Sequence, residues 1–248
     1  EKKLEGAGLR GQVAGKTSLS TVGKAGKGLT YRGYEIEVLA EKASFEEVAY
    51  MLLYGNLPNQ EEFNTYSEKL KKLRALPNEL KEVLENIPAS AHPMDVMRTG
   101  CSMLGNLEPE GEFKNQNSSA DRILASMASI IVYWYKFSHE GKKVNLETDF
   151  ETIGGHFLSL LTDKDPSKDD IRCLDTSLIL YAEHGFNAST FTARTCASTL
   201  SDIHSCITGA IGTLRGPLHG GANEAAMEMI EQYSSREEAH KAVLEMLE

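Results

Sequence analysis

From residue 44 onward the apolar positions recur with a helical period. Ser44-Phe-Glu-Glu47 is a capping box, and Phe45, Val48, Ala49, Leu52 and Leu53 follow at i, i+3, i+4, i+7 and i+8 up to Gly55. That spacing predicts an amphipathic helix with both ends signalled. Phe63, Tyr66, Leu70 and Leu73 continue the pattern before Pro77, and Leu80, Val83, Leu84 and Ile87 repeat it before Pro88. Further helices are predicted over 94–104, 121–138, 153–161, 168–182, 189–199 and 202–214. Another contains Ala225, Ala226, Met229 and Ile230, and Ser235-Arg-Glu-Glu238 starts a last one. Ile130-Ile-Val-Tyr-Trp-Tyr135 is apolar on nearly every side, as in a helix wrapped by others or packed at a subunit interface.

Residues 10–38 break this pattern. They are rich in Gly and β-branched residues, and the short alternation Leu29-Thr-Tyr-Arg-Gly-Tyr-Glu-Ile36 suits one or two small strands. Residues 108–118, polar and rich in Gly, Asn and Ser, read as a disordered loop. The fold class is therefore all-α with a small N-terminal β element.

Composition sharpens the picture. At 248 residues and 41% hydrophobic content, a chain of this size buries roughly 70–75% of its unfolded surface, enough for one or two cored domains. The net charge of -10 argues against nucleic acid as a partner, while leaving room for a local Arg and His pocket that binds an anionic small molecule. No apolar run reaches the ~18 residues of a membrane span. Glu1-Lys-Lys-Leu-Glu lacks the apolar core of a signal peptide. Cys101, Cys173, Cys196 and Cys206 form no Cys-x-x-Cys pair, so they read as buried thiols of a reducing compartment, and the protein as cytoplasmic.

Two histidines stand out. His219, in Gly216-Pro-Leu-His-Gly-Gly-Ala-Asn223, lies just before a helix whose N-cap is expected at Asn223. The positive end of a helix dipole disfavours imidazolium, so a neutral ring able to donate a hydrogen bond to a carbonyl oxygen is expected, and the glycines would let a substrate approach the backbone. A turn histidine satisfied by backbone fits the same local sequence. His184 closes a helix in Glu183-His-Gly-Phe-Asn-Ala-Ser189, where the dipole favours the protonated form. Beside Asn187 it suits a carboxylate or keto oxygen, and a purely C-capping His fits equally.

The remaining histidines carry less. His92, before Pro93, reads as a turn into the next helix, and His139, His156, His204 and His240 as surface or core residues. His184, His204 and His219 lie on separate elements without an i, i+4 pair, so no metal is expected. Gly23-Lys-Ala-Gly26-Lys-Gly28 lacks the Gly-Lys-Ser/Thr ending of a phosphate loop and reads as a turn. No Gly-x-Ser-x-Gly elbow supports a hydrolase.

Three ordered blocks resemble one family. Gly216-Pro-Leu-His-Gly-Gly-Ala-Asn-Glu224 is similar to the signature of citrate synthases, Glu183-His-Gly-Phe-Asn-Ala-Ser189 to their oxaloacetate-binding segment, and Leu29-Thr-Tyr-Arg-Gly-Tyr-Glu-Ile36 to their N-terminal block. Ile131-Val-Tyr-Trp-Tyr-Lys-Phe-Ser-His139, Glu147-Thr-Asp-Phe-Glu-Thr-Ile-Gly-Gly-His-Phe157 and Ser189-Thr-Phe-Thr-Ala-Arg194 look closest to the bacterial 2-methylcitrate synthases.

The resemblance implies condensation of propanoyl-CoA, and also acetyl-CoA, with oxaloacetate, in a homodimer with no cofactor beyond the CoA thioester co-substrate. It implies that His219 holds the thioester oxygen and that His184 and Asn187 bind oxaloacetate. Arg74 is the looser expectation for a substrate-side cation. The family's second histidine, its base Asp and its carboxylate-clamping arginines are expected beyond residue 248. Residues 1–222 would then belong to the large helical domain and 223–248 would begin the small one, and the 248-residue chain alone would be inactive. Citrate synthase proper is the same-class alternative, and a noncatalytic dimerisation or regulatory module the alternative of another class.

Overall fold

The computed structural model describes residues 15–23 and 28–247. Lys24 to Lys27 of the glycine-rich segment and the first fourteen residues, including Glu1-Lys-Lys-Leu-Glu, lie outside the described residues. Three two-residue strands open the fold: β1 (Ser20–Thr21), β2 (Thr30–Tyr31) and β3 (Tyr34–Glu35). They pair antiparallel in chain order, with Ser20 opposite Tyr31 and Thr30 opposite Glu35. Arg32 and Gly33 both have positive φ, 46° and 93°, the mirror-image turn that matches the twist of a two-residue hairpin. The Arg32 guanidinium also donates to the Leu52 carbonyl at 3.0 Å.

Twelve helices follow among the described residues: α1 (Ile36–Lys42), α2 (Phe45–Tyr54), α3 (Gln60–Lys72), α4 (Asn78–Glu85), α5 (Pro93–Leu107), α6 (Gln116–Glu140), α7 (Ile153–Thr162), α8 (Lys168–Tyr181), α9 (Ala188–Ala197), α10 (Ile203–Leu214), α11 (Gly221–Glu231) and α12 (Arg236–Leu247). The all-α expectation holds; β2 and β3 lie within the alternation, while β1 lies before it and adds a third strand to the one or two expected. The Ser44 capping box is formed, its hydroxyl accepting from the Glu47 N–H while the Glu47 carboxylate accepts from the Ser44 N–H.

Two expectations change. Helix α1 was not expected; it is only seven residues long and buries Ile36 and Leu39 against the sheet side of the core. Residues 108–118 are an ordered connection with a 3-10 turn at Phe113–Asn115, and helix α6 already begins at Gln116. Its acids are occupied: Glu108 forms a two-point ion pair with Arg122, and Glu110 accepts from the Ile203 N–H that opens α10. Each carboxylate takes up buried or half-buried donors, which composition alone does not reveal.

Helix α6 is the central element, touching α3, α4, α5, α7 and α10. Ile130, Val132, Tyr133 and Trp134 are buried in it, while Tyr135 reaches the surface and stacks on His139. Gly100 and Gly105 on α5 permit the close crossings that set the site's foundations. A Cβ at 100 would come 2.5 Å from Ile130, and one at 105 would come 2.6 Å from the His204 Cβ. Helix α10 is thereby pressed against α5, and α9 packs along α10. Cys101 and Cys206 are buried and Cys173 is exposed, so the buried-thiol reading covers only some of the four.

Glu46, Asp121 and Asp175 are buried acids, and of these Glu46 is the one with an oxygen left unpartnered. Helix α2 buries Met51 and Glu46 where the period had suggested Leu53, which is exposed. The Glu46 Oε1 accepts from the Ile153 N–H at the start of α7, and its Oε2 has no partner. Burial pushes this carboxyl up to about 7. Nearby His156, fully buried against Ser129 and Thr148, is pushed down to about 4 by burial.

The two groups act oppositely on stability. Folded Glu46 holds a proton that the unfolded chain releases above pH 4.5, so its contribution is complete below that pH and is lost as pH rises through about 7. The His156 contribution is present above pH 6.5 and is lost as pH falls through about 4. Glu46→Gln removes the first slope. Relative to the native sequence, the variant is expected to gain about 3 kcal/mol between pH 4.5 and 8. Urea unfolding at both pH values checks this, and parallel pH profiles for the two proteins would refute it.

Candidate active site

Helix α10 ends at Leu214, and the segment from Arg215 to Gly220 turns back before α11 begins. Within that turn the His219 N–H donates to the Gly216 carbonyl at 3.0 Å, and the Gly221 N–H reaches the same oxygen. The glycines serve the turn itself. A Cβ on Gly220 would lie 2.4 Å from the Leu214 carbonyl oxygen, and one on Gly221 would lie 3.1 Å from the Gly216 carbonyl oxygen. The helix N-cap is Gly220, so Asn223 sits inside the first turn instead of capping it. His219 is therefore closer to the positive end of α11 than expected.

His219 is half-buried, and its Nε2 lies 2.9 Å from the Ser189 Oγ across 30 residues of sequence. Ser189 is in the first turn of α9, whose N-cap is Asn187. The Asn187 Oδ1 accepts from the Thr190 N–H at 2.9 Å and faces the Ser189 Oγ at 2.8 Å. The serine hydroxyl has one proton and two acceptors in reach. When it donates to Nε2, a neutral His219 ring carries its own proton on Nδ1 and can donate there. When it donates to Asn187, Nε2 must carry the proton and Nδ1 becomes an acceptor. The Asn187 Oδ1 takes the Thr190 amide on one lone pair and can take the serine proton on the other, so these contacts allow both arrangements.

His184 belongs to the same loop. It follows the end of α8, is exposed, and points Nε2 at the Leu180 carbonyl at 3.1 Å. The ring thus caps α8, and with Nε2 donating to that carbonyl it presents Nδ1 outward, a lone pair on a neutral ring and a donor to a keto or carboxylate oxygen on a protonated one. Gly185, with φ of 76°, then turns the chain toward Asn187.

Arg74 is elsewhere. It is 2% exposed, with its guanidinium donating to the Phe150 and Glu151 carbonyls and facing Glu46. It had been the looser expectation for a substrate-side cation. In fact the charge is spent on unpaired carbonyls of an irregular segment that no local pattern displays, and the structure does not bring it to the His219 turn.

Two contacts that sequence reasoning did not foresee lie beside this turn. Glu224, in the first turn of α11, lies 3.2 Å through both carboxylate oxygens from the His92 Nε2, while the His92 Nδ1 accepts from the Met94 N–H and caps α5. His92 thus does open the next helix as expected, and it also braces α11. The Asn223 amide reaches the Tyr181 hydroxyl at 3.5 Å. Among the described residues, no group of three His, Cys, Asp or Glu side chains is arranged to hold a metal ion.

Ser189→Ala deletes the partner of Nε2 without touching the His219 backbone. In an assay of the condensation that the resemblance implies, it is expected to lower kcat about tenfold, with substrate KM values less affected. A kcat equal to that of the native enzyme would show that the hydroxyl does not set the ring's donor.

Known proteins are similar to this chain in sequence and in fold. The chain is 64% identical over 247 residues to the 2-methylcitrate synthase of Shewanella oneidensis, covering 100% of this chain and 66% of that protein. It superimposes on the crystal structure of citrate synthase from Thermotoga maritima with a TM-score of 0.83 at 34% identity, covering 97% of this chain and 64% of that one. A ternary complex of carboxymethyl coenzyme A and oxaloacetate with citrate synthase from Thermoplasma acidophilum matches with a TM-score of 0.83 at 28% identity, covering 91% of this chain and 60% of that one. The chain thus spans just under two thirds of the length of these relatives. With residues 8–248 matching the model of the citrate synthase C-terminal domain, the chain belongs to the citrate synthase family.

Proposed function

We propose that this chain is the greater part of the large helical domain, with the start of the small one, of a 2-methylcitrate synthase. The enzyme condenses propanoyl-CoA with oxaloacetate and water to 2-methylcitrate and CoA. The observation that carries the reading is the 64% identity to a 2-methylcitrate synthase along the whole chain. The geometry supports it, because the family's signature histidine is backed by a hydroxyl that can leave its outward nitrogen as a donor.

In this reading a carboxylate base takes a proton from the acyl α-carbon, and His219 Nδ1–H stabilises the oxygen that becomes negative as the enolate forms. A fixed donor is worth most where charge develops in the transition state. The enolate then attacks the oxaloacetate ketone, held on the side of His184 and Asn187, and hydrolysis releases CoA. The base, the second histidine and the carboxylate-clamping arginines belong, on the family resemblance, to sequence beyond residue 248. No cofactor enters this scheme. The homodimer and the cytoplasmic location expected above are part of the same proposal.

Citrate synthase proper is the second reading, favoured by the names of the solved structures that match the fold. Steady-state assays of the full-length enzyme with propanoyl-CoA and acetyl-CoA separate the two. The proposal expects turnover of both, and failure to turn over propanoyl-CoA would rule it out.

A further inference from the structure

The segment from residue 179 to residue 186, which ends α8 and carries His184, is gripped from the N-terminal side of the chain at several consecutive points. Tyr31 on β2 is fully buried. Its hydroxyl donates to the Ile179 carbonyl at 2.9 Å, lies 3.3 Å from the Leu180 carbonyl, and accepts from the Glu183 N–H at 3.2 Å. The Leu180 carbonyl is also the oxygen that the His184 Nε2 faces. Tyr31 and the His184 ring therefore meet at one acceptor.

On β1, the Ser20 hydroxyl donates to the Glu183 Oε1 at 3.0 Å, and the same oxygen accepts from the Gly185 N–H. Further along, a Cβ on Gly15 would lie 3.1 Å from the Phe186 ring, whose centroid is 4.7 Å from the Arg194 guanidinium. Core packing does not demand this network. A phenylalanine at position 31 would fill nearly the same volume without joining the end of α8 to Glu183.

We propose that the three-stranded sheet is a clasp for the His184 loop, and that Tyr31 and Ser20 are positioning residues for oxaloacetate. The inference rests on the reading that His184 and Asn187 face oxaloacetate. Tyr31 holds the last turn of α8, whose Leu180 carbonyl orients the His184 ring, and so sets the direction in which the ring presents Nδ1. Ser20 holds the carboxylate that shapes the turn at Gly185. Both act through the loop and touch no reacting atom.

The test uses Tyr31→Phe and, because a buried hydroxyl also supports folding, the milder Ser20→Ala, each in the full-length enzyme. The expected result for Tyr31→Phe is a rise in the oxaloacetate KM of about threefold to tenfold, as for loss of one or two hydrogen bonds, with a smaller rise for Ser20→Ala. The kcat and the propanoyl-CoA KM are expected to stay within about twofold of the native values. Amide hydrogen exchange is expected to quicken over residues 183–186 while the middle of α8 stays protected. An unchanged oxaloacetate KM in both variants overturns the proposal, as does a joint rise of both KM values with a fall in kcat, the pattern of general structural loss. If the native enzyme condenses neither acyl-CoA with oxaloacetate, the function proposed above falls, and the clasp is then decided by exchange alone. Faster exchange confined to residues 183–186 supports it, and unchanged exchange overturns it.

Discussion

His219→Ala in the full-length enzyme is expected to lower kcat for condensation by at least ~10²-fold, the scale of losing one donor to a developing oxyanion. The ring is placed by a Gly-rich turn below and by the Ser189 hydroxyl at 2.9 Å on one side, so its other nitrogen is directed and not free to wander. In the proposed mechanism, removing the ring takes away a donor whose interaction strengthens as the thioester oxygen gains charge. The loss should therefore fall mainly on kcat, and the oxaloacetate KM should change little. A near-normal kcat would remove His219 from the mechanism.

Gly220→Ala is expected to damage both folding and activity. The added methyl would lie 2.4 Å from the Leu214 carbonyl oxygen and 2.8 Å from the Leu214 Cδ1. The backbone contact cannot be relieved by a rotamer change, because that carbonyl belongs to the last residue of α10. Overpacking of this kind typically costs about 1–3 kcal/mol, which lowers the melting temperature of a chain this size by about 2–12 °C. The shift falls on the residue next to His219, so kcat should drop too. Gly209→Ala is the matched control within α10. Its methyl would meet only the Thr192 Cγ2 at an ordinary 3.6 Å, and a glycine-to-alanine change inside a helix is expected to stabilise by about 0.5–1 kcal/mol. Thermal melts of the two variants should move in opposite directions, and a Gly220→Ala protein as stable as the native one would refute the steric argument.

Helix positions were legible because their signals are local. The Ser44 box and the apolar spacing of α2 to α10 act within one or two turns, and the Arg32-Gly33 turn follows from a short alternation. Helix α1 escaped notice because seven residues hold too few periods to stand out between a hairpin and a strong N-cap. The face of α2 was misjudged by one position because Glu46 is buried through a bond to the Ile153 amide, a partner 107 residues away. Long range also explains the site. His219 and Asn187 could be singled out by their surroundings, whereas the hydroxyl that joins them belongs to an ordinary serine in a helix start. Arg74 was expected as a substrate-side cation, whereas its guanidinium is taken up by the Phe150 and Glu151 carbonyls, partners more than seventy residues away that no local pattern displays.

The contact between His92 and Glu224 has a mechanical consequence. It joins the N-cap of α5 to the first turn of α11, only five residues past His219. A rigid helix pinned near one end swings about that end, so any tilt of α11 sweeps its far terminus widely and displaces its beginning least. Exposed Met227 and Ile230 would travel on the moving arm. His219 lies beside the pivot, where such a tilt would leave the aim of its ring least changed.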